Sequence, residues 1–129
     1  MLLSTLILLA LGIPAPADDA IRGSYAGEWS GASGAGGKFK LSVAQDGDKT
    51  KCTVNFTYAG EDVPTHVTLC KTEGRKLEAQ YDFDFSGNRL QSTIEGELKG
   101  NALAGTYHTK SLADGSAVDQ GDWKAAPAQ

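Results

Sequence analysis

The chain has 129 residues, 16 of them glycine, and 12 Lys plus Arg against 16 Asp plus Glu give a net charge of −4. That is one domain of ordinary size, long enough to bury a core without a structural metal. The acidic balance offers no basic stripe to neutralise phosphates, which excludes a nucleic-acid partner, and it disfavours anionic membrane surfaces.

The first element in chain order is an apolar run, Met1 to Gly12, followed by Ala15-Pro16-Ala17 and the charged pair Asp18-Asp19. The run is short for a bilayer span, which needs about 20 apolar residues. The A-x-A pattern predicts a signal peptide over residues 1–17, although no Lys or Arg precedes the apolar run. The mature chain is then a single domain over residues 18–129, secreted or periplasmic, with no membrane segment of its own. No cysteine follows the leader directly to carry a lipid.

After Arg22 the apolar period is two rather than 3.6, the mark of strands. Eight are predicted, over residues 23–30, 37–45, 50–58, 65–72, 77–86, 89–98, 102–109 and 118–125. The breaks between them carry turn chemistry: the glycine-rich stretch 31–37, Asp46-Gly47, Ala59-Gly60-Glu61-Asp62, Glu73-Gly74, Ser86-Gly87-Asn88, Lys99-Gly100-Asn101 and Leu112-Ala113-Asp114-Gly115. Hairpin-length connections favour a meander closing on itself. The predicted fold is all-β, an eight-stranded up-and-down antiparallel barrel whose first and last strands meet.

Alternate residues of a strand share a face, so apolar residues should pair with apolar ones across each hairpin. The fifth and sixth strands then match Phe85 with Leu90, Phe83 with Ser92, Tyr81 with Ile94, Ala79 with Gly96 and Leu77 with Leu98. The sixth and seventh match Leu98 with Leu103, Gly96 with Gly105 and Ile94 with Tyr107. The second and third match Val43 with Cys52, Leu41 with Val54 and Phe39 with Phe56, and Trp29 of the first strand falls opposite Phe39. The opposite face is polar, so one face is the barrel interior.

At one end this interior collects Trp29, Phe39, Phe56, Tyr58, Phe83 and Phe85, with Tyr107 deeper. At the other, Ala79, Gly96, Gly105 and Gly121 form a row without bulk. Two readings stay open: Trp123 or Tyr25 fills that notch, or a small ligand cavity lies beneath an aromatic mouth. On the second reading Trp29, Phe39, Phe56, Phe83 and Tyr107 line the site, and Ser92 is its buried polar handle.

A meander of eight strands opening with Gly27-Glu28-Trp29 resembles the lipocalin and calycin group, which carries G-x-W in its first strand. The resemblance implies a small apolar ligand held inside the barrel. It also implies a Trp plugging the closed end and a basic residue of the last strand packed on it, for which Lys124 is the candidate. Avidin-like barrels are similar in length and strand number, but their site depends on several tryptophans in later strands, and none lies between Trp29 and Trp123.

Cys52 and Cys70 are the only cysteines. In an exported chain an even pair reads as a disulfide. Strict alternation cannot face Cys70 inward together with Val67 and Leu69, so an irregularity is predicted between Val67 and Cys70. The register that faces Cys70 inward turns His66 inward as well. His66 and His108, far apart in sequence, do not make a metal site, which needs three or four ligands. No metal or cofactor is expected.

Glu78, Asp82, Asp84, Glu95 and Glu97 form an acidic outer patch, either a solvated face or a docking surface. Residues 31–37 lack the spacing of a phosphate loop and read as a flexible connector or a lid over the mouth. No catalytic triad, nucleotide loop or zinc-protease motif occurs, so no catalytic residue is assigned. The function expected is non-catalytic binding of a small apolar or aromatic molecule in the barrel. The rival is a protein-binding module, such as a secreted inhibitor or envelope component, with a filled barrel and an active outer face or loops.

Overall fold

The computed structural model describes residues 20–128. The predicted signal peptide and its cleavage point lie outside the described residues. Among those described, the chain is all-β and antiparallel. Its nine strands are β1 (Gly23–Gly31), β2 (Gly36–Asp46), β3 (Lys49–Tyr58), β4 (Glu61–Val63), β5 (His66–Glu73), β6 (Lys76–Phe85), β7 (Asn88–Lys99), β8 (Ala102–Ser111) and β9 (Ala117–Pro127). The count exceeds the expected eight because the stretch read as a turn after Tyr58 contains β4. There Ala59 (φ 53°) and Gly60 (φ 83°) alone make the turn, and the chain folds straight back onto β3.

The strand order is β4-β3-β2-β1-β9-β8-β7-β6-β5, one curled sheet. The first and last long strands pair, Trp29 opposite Trp123, so the termini close the curl. The open seam lies elsewhere, between β3–β4 and β5. No ladder crosses it; the Cys52–Cys70 disulfide does, at a Cα separation of 5.7 Å. The Thr65 hydroxyl adds a bond to the Val54 carbonyl. A disulfide-bonded pair indicates an oxidising environment such as the cell exterior or periplasm.

Alternation sorts the faces as expected. Phe39, Leu41, Val43, Val54, Leu77, Ala79, Tyr81, Phe83, Ile94, Leu98, Leu103 and Trp123 are all buried. The matches Val43–Cys52, Leu41–Val54, Phe39–Phe56, Leu98–Leu103, Gly96–Gly105 and Ile94–Tyr107 occur as expected. Two hairpins differ by two residues. Phe83 pairs with Leu90, Tyr81 with Ser92, Ala79 with Ile94 and Leu77 with Gly96. The cause is a two-residue turn, Ser86 (φ 52°) and Gly87 (φ 80°), in place of a longer loop. Similarly Trp29 lies opposite Gly37, and Phe39 opposite Gly27. A slip of two keeps every side chain on its face, which is why burial was right where register was not.

The expected irregularity in β5 is present. Val67 pairs with Tyr81 and Leu69 with Gln80, leaving Thr68 bulged between them. The bulge puts Val67 and Cys70 on the inner face but leaves Leu69 opposite Gln80 on the outer one. His66 also departs from the inward reading: it is exposed and pairs with Asp82. At the closed end Ile21, only 1% exposed, precedes β1 and caps the core, and the Tyr25 hydroxyl donates to the Arg22 carbonyl at 3.0 Å.

Candidate functional site

The glycine row expected at one height is split by the register. Leu77, Gly96, Gly105 and Trp123 form one row, and Ala79, Ile94, Tyr107 and Gly121 the next. Trp123 fills the notch. A methyl group at Gly96 would lie 2.5 Å from its Cζ2, and at Gly105 it would strike the Glu95 carbonyl of β7. The first of these glycines leaves room for the indole against β7, and the second lets β8 approach β7 closely. The indole Nε1 donates to the Thr106 and Glu95 carbonyls at 3.1 and 3.3 Å. Trp123 is therefore a floor, 3% exposed, with Phe39 tilted against it at 5.1 Å.

Above that floor the barrel is not filled. A cavity of about 260 Å³ opens between the loop ends, and Trp29, Phe39, Phe56, Phe83, Ser92 and Tyr107, all six expected lining residues, border it. Trp29 stands in the mouth rather than at the closed end. Its Nε1 donates to the Thr57 carbonyl at 3.0 Å, and its ring meets Phe56 and Tyr107 edge-on at 5.9 and 5.8 Å and stacks on Tyr58 at 6.5 Å. Phe83 meets Phe56 at 5.1 Å, and Phe85 meets Tyr58 at 4.8 Å. Phe39 is deeper than expected, 2% exposed between mouth and floor. Trp29 therefore does not take the plug position implied by the lipocalin resemblance, and Lys124, the candidate for the basic residue packed on it, is exposed opposite Glu28 on the outer face.

Hydrogen-bonding groups run along one cavity wall. Register aligns Tyr81 with Ser92, Ser92 with Thr109 and Thr109 with Asp119, one residue from each of four successive strands. Ser92 Oγ and Thr109 Oγ1 lie 2.5 Å apart, and both residues are buried. The Tyr107 hydroxyl donates to Asp119 Oδ2 at 2.9 Å, and the Ser33 amide of the loop after β1 donates to Asp119 Oδ1 at 3.2 Å. Burial pushes the Tyr81 phenol far above its usual range, with a Ser92 hydrogen bond working the other way. Burial also raises Tyr107, and its bond to Asp119 and that carboxylate's charge add to the rise. Both phenols therefore stay neutral donors at physiological pH.

Leu90, Thr109, Asp119 and Trp123 border the cavity but were absent from the expected lining. A signal for Asp119 existed: it shares the parity of Gly121 and Trp123, so alternation faces it inward. A bulge at Val118 then turns Ala117 out and leaves Val118 48% exposed on the rim. The glycine-rich stretch is shorter as a loop than expected, because β1 runs through Gly31 and β2 starts at Gly36. Its turn is tied down by the Gly31 amide to the Ala35 carbonyl, and to β9 by the Ala32 amide to the Gln120 carbonyl. The outer acidic residues pair across β6 and β7, Glu78 with Glu95 and Asp84 with Arg89. In a comparison with known proteins, no family model matches the chain and no curated protein is significantly similar to it.

Proposed function

We propose that this is an exported, non-catalytic binding protein that carries or sequesters a small apolar or aromatic molecule in its barrel. The observation that carries the reading is the cavity: aromatic on most sides, with hydroxyls converging on one wall, in a barrel whose other half is packed. Native interiors leave few voids larger than a water molecule. An apolar cavity of about 150 Å³ already accepts benzene, so a space of about 260 Å³ suits a ligand of one or two rings. The apolar leader and A-x-A pattern of residues 1–17, together with the disulfide, support export to the periplasm or cell exterior. A filled barrel was the premise of the protein-binding alternative, and the cavity weighs against it.

The test is mass spectrometry of organic extracts of the natively exported protein, paired with titration of a lipophilic dye followed through Trp29 and Trp123 fluorescence. A co-purifying small molecule and saturable dye binding, lost in Ala35→Trp at the rim, are expected. An empty extract with no dye uptake would sink the reading.

A further inference from the structure

The cavity wall is asymmetric in charge. Among the described residues lining it there is one ionisable acid, Asp119, and no Lys, Arg or His. Asp119 is half-buried and accepts hydrogen bonds from neutral donors, the Tyr107 hydroxyl and the Ser33 amide; among the described residues it makes no ion pair. Around the same opening stand the rings of Trp29, Phe56, Tyr58, Phe85 and Tyr107. Aromatic faces carry negative quadrupole charge and attract cations within about 6 Å. A carboxylate without a counter-ion beside such rings is complementary to an organic cation and opposed to an anion. The net charge of −4 acts in the same direction on approach.

We infer that the ligand is an organic cation: an aryl or alkyl ammonium whose apolar body fills the cavity over Trp123 and whose charged head sits in the mouth between Asp119 and the rings of Trp29 and Tyr58. This rests on the carrier reading and narrows it. Fatty acids and other anionic amphiphiles are excluded, because a buried carboxylate head would face Asp119 with no cation to offset it. Ser92 and Thr109 remain for a neutral polar group on the ligand body. Three hydroxyls in series, Tyr81, Ser92 and Thr109, use two protons between themselves and leave one to donate.

The experiment compares three probes with one body, phenylbutylamine, phenylbutanol and phenylbutyrate, titrated calorimetrically into the full mature chain. The amine should bind about tenfold tighter than the alcohol, and the carboxylate about tenfold weaker, the order expected from one partly desolvated charge contact. Asp119→Asn should reduce the amine-to-alcohol affinity ratio to about twofold, since the charge contact is removed. Tyr58→Leu, which keeps apolar bulk but removes a ring, should weaken the amine severalfold more than the alcohol, and it stands as the check should Asp119→Asn perturb the loop. Equal binding of all three probes, or an unchanged amine-to-alcohol ratio in both variants, overturns the charge selection and leaves the carrier reading standing. Binding of none of them overturns both.

Discussion

At the residue scale the interior is organised by what glycine leaves out. Trp123 can pack on β7 because Gly96 has no Cβ to meet its ring, while a Cβ at Gly105 would strike the Glu95 carbonyl, one of the two that accept from the indole N–H. Gly96→Val should therefore cost about 1–3 kcal/mol by overpacking, read as a lower urea midpoint at unchanged slope. A neutral result would mean that the indole has room to move. The two raised phenols make a second prediction. A group whose pKa rises on folding contributes stability in full below its unfolded value and loses it as pH climbs through the folded one. Tyr81 and Tyr107 should therefore stabilise the fold up to about pH 10, the ordinary tyrosine value, and lose that contribution above it. Absorbance titration should show two phenols ionising only as the protein unfolds in alkali, and Tyr107→Phe should leave one.

At the scale of elements, the bulges and turns decide what alternation cannot. β1 and β9 are arranged alike about their shared ladder. Each carries a tryptophan opposite a glycine of the next strand, Gly37 or Gly105, and each indole reaches a carbonyl one strand further on, Thr57 or Glu95. The bulge at Thr68 lets β5 present both Val67 and Cys70 inward. Deleting Thr68 should make β5 regular, with Val67 still opposite Tyr81 and Cys70 still opposite Ala79, so the disulfide should form and no thiol should titrate. Deleting Lys71, between Cys70 and the Gly74 turn, should move Cys70 to the outer face and expose a free thiol or prevent folding. A titratable thiol in the first variant would contradict the role given to the bulge.

At the scale of the whole molecule, the sheet is continuous from β4 to β5 by way of the paired ends, and its one unladdered seam is held by a disulfide. Replacing both Cys52 and Cys70 with Ala should cost about 2–4 kcal/mol, as removal of a stabilising bridge does. Amide exchange should then accelerate most in β4 and β5, which have a partner strand on one side only, and least in β1 and β9 at the centre of the strand order. Uniform acceleration would mean that the seam is not a local weak point.

The all-β class, the inner and outer faces and six of the residues bordering the cavity were legible in the sequence, because each follows from a period of two and survives a slip of two; the cysteine bridge was legible from an even pair behind an export leader, and the bulge from the conflict between that bridge and strict alternation. The hairpin registers of Phe85 and Trp29, the position of the seam, the choice between the two readings of the interior and the meeting of Asp119 with Tyr107 were not. They depend on positive φ at Ser86 and on how closely neighbouring strands approach at glycines, properties of a folded backbone that an alternating pattern of side chains does not encode.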